Sequence, residues 1–238
     1  AYGTLYGYGF ARVQSSDPKA SYYDASGQFT GQLILGSNGL PIRDNNQKIL
    51  GNIQPDWTGG FSNTFSFKGF SLTALVDAKI GGSMYDEGTA NARWTGQYAE
   101  TAIGREEGVI GKGVNAVTTT NPDGSTTVKF SPNSTIASAN AYVGYNNPRT
   151  YHEAAIFDAS YVKLREVALG YQIPNFLVKK IGLQTARFAI VGRNVAMLFK
   201  NHPHQDPEID SNGANRQGFG YGELPSARSV GFNLNLGF

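Results

Sequence analysis

The sequence predicts an all-β chain, built of antiparallel strands of the outer-membrane barrel type. Three observations carry this. The 238 residues include 30 Gly, 14 Phe and 13 Tyr, with only 16% charged, against about 25% in an average soluble domain. Long stretches alternate apolar and polar side chains with period two, the strand signature. The connections between them alternate short and long, as barrel turns and barrel loops do. No apolar run reaches the roughly 18 residues of a membrane-spanning helix, and a mean hydropathy of −0.32 is what alternating barrel strands average to. A net charge of +2 lacks the basic surplus of nucleic-acid binding. With no cysteine, a disulfide scaffold and a Cys-ligated metal are excluded.

Six long strands are expected. The first is Thr4–Arg12. The second and third are Phe61–Lys68 and Gly69–Ile80, joined at Lys68-Gly69. Phe61, Phe65 and Phe67 share one face opposite Ser62, Thr64 and Ser66; Phe70, Leu72, Ala74, Val76, Ala78 and Ile80 continue the apolar row. Alternation on both sides of a two-residue turn reads as a β-hairpin. Its eleven-residue second arm has the length of a tilted barrel strand, longer than the typical soluble one.

The fourth strand, Tyr161–Gln172, slips in phase. Val162 and Leu164 point one way, and Val167, Leu169 and Tyr171 the other; a bulge near Arg165-Glu166 would reconcile the halves. After Pro174, the segment 175–184 reads as a short helical turn. The fifth strand is Thr185–Phe199, with Phe188 and Ile190 opposite Ala189, Val191 and Arg193. The sixth is Arg228–Phe238, where Phe232, Leu234, Leu236 and Phe238 alternate with Asn233, Asn235 and Gly237. Apolar residues on one face and Asn or Gly on the other suit a strand between lipid and a wet lumen. Ser229, Gly231, Leu234, Leu236 and Phe238 fit the pattern of a barrel-assembly signal.

Connections 68–69 and 173–184 are short, whereas 13–60, 81–160 and 200–227 are long. Long loops are extracellular in such barrels, which puts Phe238 on the periplasmic side. Within 81–160, Val114–Thr120 and Ser125–Phe130 flank Asn-Pro-Asp-Gly and predict a small hairpin. Residues Ala1–Tyr6 lack a basic and an apolar leader region. Six strands are too few to close a barrel, so the chain is expected to be the C-terminal part of a larger one.

Several blocks resemble one family in order. Asn52, Pro55, Asp56, Trp57, Gly59, Gly60 and Phe61 match its N-x-x-P-D-[WF]-x-G-G-[FI] segment. Lys68-Gly-Phe-Ser-Leu72 and Lys79-Ile-Gly-Gly82 continue it. Ala159–Tyr171 is similar to its S-[FY]-[LV]-[KR]-L-[KR]-x-[VL]-x-L-[GS]-Y strand. Val191-Gly-Arg-Asn194, Asp206-Pro-Glu208 and Pro225-Ser-Ala-Arg228 follow. Together they resemble the C-terminal part of the SusC/RagA family, TonB-linked outer-membrane transporters of Bacteroidetes-type bacteria. The resemblance implies a 22-stranded barrel whose plug and TonB box are not in these residues. It implies an importer of oligomeric nutrients, glycans or peptides, working with a SusD-like surface lipoprotein. Its other implied partners are TonB (through the N-terminal part), the barrel-assembly machinery (through the last strand) and the lipid bilayer. No cofactor and no enzymatic activity are expected. A soluble carbohydrate-binding or adhesin-like module and a siderophore-type receptor are the alternative readings.

Candidate substrate contacts are aromatic side chains in the expected extracellular loops: Trp57, Trp94, Tyr142, Tyr145 and Tyr221, with Tyr151 beside them. Such rings stack on ligands, pack loops or form interfacial girdles. The acidic series Asp206, Glu208, Asp210 with Asn212 resembles a hard-cation loop, but Ser211 and Gln217 stand where an EF-hand needs Gly and Glu, which favours a solvated loop. His202, His204 and His152 read as surface-loop residues, and no metal is assigned. Asp86/Glu87 and Glu106/Glu107 are the carboxylate pairs considered for glycoside hydrolysis; no nucleophile or phosphate-loop motif accompanies them.

Overall fold

Five strands form one antiparallel meander: β1 (Trp57–Phe67), β2 (Phe70–Ile80), β3 (Tyr161–Gln172), β4 (Thr185–Lys200) and β5 (Ser229–Gly237), paired in chain order. They belong to a computed structural model that describes residues 3–13, 31–208 and 217–238. The chain divides into two compact units. The sheet lies in the unit made of Gln54–Gly82, Asp158–Ile209 and Leu224–Phe238, here the wall unit.

The hairpin forms as its residues predict. Lys68 (φ 46) and Gly69 (φ 84) both take the left-handed conformation of a two-residue hairpin turn, whose twist matches the flanking strands. All of β1 from Trp57 to Phe67 pairs without interruption to β2. Between β3 and β4, a helix at Asn175–Val178 and a 3-10 turn at Lys179–Ile181 end at Gly182.

The bulge expected near Arg165-Glu166 is present. Leu164 pairs with Val76 and Glu166 with Leu75, so Arg165 is the extra residue. That insertion returns Val162, Leu164, Val167, Leu169 and Tyr171 to one face, in register with the apolar row of β2. On the other side, β4 shifts register opposite Leu164–Glu166. There Asn194 takes φ 49, a conformation Asn tolerates better than most residues.

One strand is corrected. Thr4–Arg12 does not join the sheet: only Thr4–Gly7 is a strand, and it pairs with Lys48–Asn52. Its surroundings give the reason. A Cβ on Gly9 would stand 2.4 Å from the Glu153 carboxylate, so this backbone is closely enclosed by its own unit.

That second unit comprises Ala1–Ile53, Ser83–Phe157 and Asp210–Glu223. Its core includes Leu5, Phe10, Leu35, Leu50, Met84 and Val114. The predicted hairpin is there: Val114–Thr120 pairs with Thr126–Pro132, and Ile34–Leu35 adds a third, parallel strand. The helix Glu87–Trp94 is N-capped by Asp86, which accepts the Thr89 N–H at 3.0 Å. Ser138 caps Ala139–Val143 in the same way.

Candidate functional site

The two faces of the wall sheet differ chemically. One carries Trp57, Phe61, Phe65, Phe67, Phe70 and Leu72, then Leu169, Phe188 and Ile190, then Phe232, Leu234 and Leu236. All are exposed, from Phe188 at 39% to Phe232 at 74%. Their summed area exceeds about 1,000 Å², beyond the few hundred Å² that soluble monomers leave uncovered. The opposite face is polar. Thr64 and Thr73 hydroxyls meet at 2.9 Å, Arg187 donates to Ser71 at 2.9 Å and Arg193 pairs with Glu166 at 3.2 Å.

On the polar face, the bulge organises a charge cluster. Lys163, 3% exposed, donates from Nζ to Asp206 at 2.6 Å and also to Glu208. Arg165 pairs with Asp77, and its Nη1 donates to Glu208 at 2.9 Å and to Asn194 Oδ1 at 3.1 Å. Ser226 donates to Asp206 at 2.7 Å, and Asn194 Nδ2 to the Ala227 carbonyl at 3.0 Å. Burial by itself would raise both loop carboxyls. Hydrogen bonds from Lys163, Ser226 and the Glu208 N–H outweigh it at Asp206 and hold that carboxyl below its ordinary range. Bonds from Arg165 and Lys163 do the same for Glu208. A buried carboxylate stays ionised only when charges and donors compensate its desolvation.

The cluster was not legible in the sequence as a site. Asp206 and Glu208 are not a solvated pair: two strand cations, Lys163 and Arg165, ion-pair with them, Arg165 being shared with Asp77. Among the described residues no group of metal-ligating side chains assembles, and Asp210 and Asn212 lie outside those residues. The available signal was two cations, Lys163 and Arg165, inside a strand of a chain with few charges.

The second unit holds a cleft of about 400 Å³. Tyr142 and Tyr145, three residues apart across the end of Ala139–Val143, line it together. Their rings meet edge to face at 4.9 Å, and Tyr145 is braced by Phe10 at 5.5 Å, itself stacked on Tyr151 at 5.0 Å. Arg93, from the last turn of Glu87–Trp94, adds an ion pair with Glu100 at 2.7 Å.

No protein-family model matches the sequence. Three curated relatives do, all TonB-dependent receptors of Formosa agariphila. P3 is 27% identical over the whole chain, P39 24% over 82% of it and P26 25% over 90%. The chain spans about a fifth of their lengths, 22%, 17% and 21%. Among solved structures, the RagAB peptide importer in its closed-closed and open-open states matches 98% and 99% of the chain. In each the TM-score is 0.54 and the identity 18%, over 24% and 23% of the matched chain. The chain is similar in sequence along its length to TonB-dependent receptors, and in fold to part of the RagAB importer.

The other candidate residues are dispersed. Trp57 is not in a loop: it begins β1, on the apolar face, opposite Ile80. Trp94 ends its helix, 39% exposed, and is not among the residues lining the cleft. Tyr221 is exposed, its N–H bonded to Glu223 at 2.9 Å. Tyr85 is pushed up to about 12 by burial first, then by the nearby Glu87 and Tyr221.

His202 and His152 are packed and not exposed surface-loop residues. His202 is fully buried, with Nδ1 accepting the N–H groups of His204 and Gln205 at 3.3 and 3.0 Å. His152 accepts the Tyr8 N–H at 2.9 Å; burial, then the Arg43 charge, lowers its pKa. Asp86 serves as a helix cap, and Glu106 and Glu107 are exposed in a turn.

Proposed function

We propose that this chain is barrel wall and loops of a TonB-dependent outer-membrane transporter that imports oligomeric nutrients, glycans or peptides, with a SusD-like surface lipoprotein. The observation that carries the reading is the sheet with one continuous apolar face and one charged face, in a chain similar along its length to TonB-dependent receptors. Ten residue steps separate Trp57 from Phe67 on β1. At ~3.4 Å per residue and a tilt of ~40–45°, they cover about 25 Å of membrane normal, the height of a barrel's apolar band. Aromatic side chains at both ends suit girdles at the two interfaces.

In this reading the apolar face meets lipid and the polar face the lumen. The short turns and Phe238 are periplasmic. Residues 1–238 are all barrel domain, and the plug and TonB box belong to chain outside them. Ser229, Gly231, Leu234, Leu236 and Phe238 engage the barrel-assembly machinery.

The test uses the full-length gene product in its own cell. It should fractionate with the outer membrane, show heat-modifiable gel mobility and co-purify with a surface lipoprotein. Solubility without detergent would refute the transporter reading. Normal barrel assembly with no co-purifying lipoprotein would refute the partner.

A further inference from the structure

The short-turn end of the wall carries positive charge with no counter-charge beside it. We infer that this end is a docking surface for anionic phospholipid. The headgroup phosphate meets Lys179 and Lys180, flanked by Lys68, while Phe176, Leu177 and Ile181 enter the acyl boundary. This rests on the transporter reading and gives one end of the wall a lipid partner of defined charge.

Backbone bonds place these residues at one level. The Gln172 N–H donates to the Gly69 carbonyl at 2.8 Å, and the Gln184 N–H to the Gly237 carbonyl at 2.8 Å. The Lys68-Gly69 turn, the 173–184 connection and the end of β5 therefore share one edge of the sheet. Two strand spacings, about 10 Å, separate the two turns along it. The apolar side chains sit on the lipid side of that edge. The helix Asn175–Val178 packs against β4, and Val178 is only 2% exposed. Ala186 of β4 is also 2% exposed, whereas Phe188 and Leu236, its neighbours on the apolar face, are open. This burial puts the helix on the apolar side of the sheet. Phe176, Leu177 and Ile181 stay exposed and continue the apolar face past the strand ends.

Charge then selects the lipid. Residues 66–72, 171–187 and 231–238 contain Lys68, Lys179, Lys180 and Arg187 and no Asp or Glu. Arg187 is turned to the polar face, where it donates to Ser71. The Lys68 ammonium lies 5.3 Å over the ring of Phe67, an apolar-face residue. Among the described residues, none of the three lysines ion-pairs with a carboxylate. Lysine stems lie along apolar surface while their ammonium groups reach the headgroup layer, the arrangement of an interfacial segment. Unneutralised ammonium groups gain from a headgroup with net negative charge. They gain little from a zwitterionic one, whose own cation cancels the field. Continuity with the lipid-facing side makes the bilayer the occupant, in place of a periplasmic protein.

A fluorophore on Asn175→Cys, an exposed position beside the lysines, tests this in the full-length transporter reconstituted in phosphatidylcholine vesicles. The quenchers are phosphatidylglycerol and phosphatidylcholine, each carrying a nitroxide on one acyl chain, compared at equal mole fraction. Phosphatidylglycerol should quench more strongly, with a local preference of at least about fivefold, since each lysine beside an anionic surface is worth roughly that factor. Lys179→Gln with Lys180→Gln should bring the preference close to one, while Lys179→Arg with Lys180→Arg keeps it. High salt should shrink it. Heat-modifiable mobility reports that each variant is folded. Four results each overturn the proposal: quenching by neither lipid, which would point to a soluble occupant; equal quenching by both without the lysine substitutions; a preference unchanged in the folded glutamine variant; or one lost equally in the arginine variant. Failure of the transporter reading shows separately, as absence of the protein from the outer-membrane fraction.

Discussion

Replacing Lys163 by Met would break the charge cluster at its most buried member, and the consequence can be worked from the geometry. The Lys163 side chain is 4% exposed and its two carboxylate partners 11% (Asp206) and 33% (Glu208) exposed. Removing one partner of a buried pair costs about 3–5 kcal/mol, because the other charge stays desolvated and unpaired. Here the loss is smaller. Glu208 keeps Arg165 at 2.9 Å, and Asp206 keeps the Ser226 hydroxyl at 2.7 Å and the Glu208 N–H at 3.1 Å but loses its cation. The expected destabilisation is therefore about 2–4 kcal/mol, nearly all of it at Asp206. Adding Asp206→Leu removes the stranded carboxylate and should restore most of the loss.

Urea unfolding of the full-length protein in lipid vesicles reads both variants. The pH dependence supplies a second check. Both carboxyls are depressed in the folded state. Their contribution is therefore complete above the ordinary carboxylate pKa of about 4 and is lost as pH falls from there through the depressed values. Lys163→Met should flatten this acid loss. A Lys163→Met cost under about 1 kcal/mol, or no recovery on adding Asp206→Leu, would refute the ion-paired cluster.

Further outcomes are expected on the same physical grounds. Phe232→Lys, on the apolar face, should destabilise the barrel by up to about 4 kcal/mol, while the neighbouring Asn233→Lys changes it little; vesicle unfolding compares them. Lys68→Asn should stabilise the hairpin by about 0.5 kcal/mol, since Asn-Gly is favoured where both turn residues have positive φ; an unchanged or lower urea midpoint would count against that. Protonation removes the acceptor that His152 offers the Tyr8 N–H. The lowered pKa means this contact is complete above the unfolded-state value and is lost as pH falls through the folded one. Hydrogen exchange of the Tyr8 amide, scaled to its intrinsic rate, should show protection falling with pH, and a flat profile would dismiss the bond.

The amino-acid sequence by itself determined the local structure of the wall. Period-two alternation defined β1, β2 and β5, because a strand between two solvents must sort its side chains by face. The phase slip in β3 located a bulge that pairing then assigned to Arg165. Such features are written within a few residues of chain. Tertiary structure decided what is non-local. Thr4–Arg12 has the composition of a wall strand, but only Thr4–Gly7 is one, and its pairing with Lys48–Asn52 depends on residues more than forty positions away. Trp57 looked like a loop residue until the register set it opposite Ile80. Asp206 and Glu208 are ordinary loop carboxylates on paper. They become an ion-paired cluster only because the fold brings Lys163 and Arg165 of β3 against them across more than forty residues. Charges in a chain interact by distance in space and not by spacing in sequence, and at 2.6 Å the fold sets which of them meet.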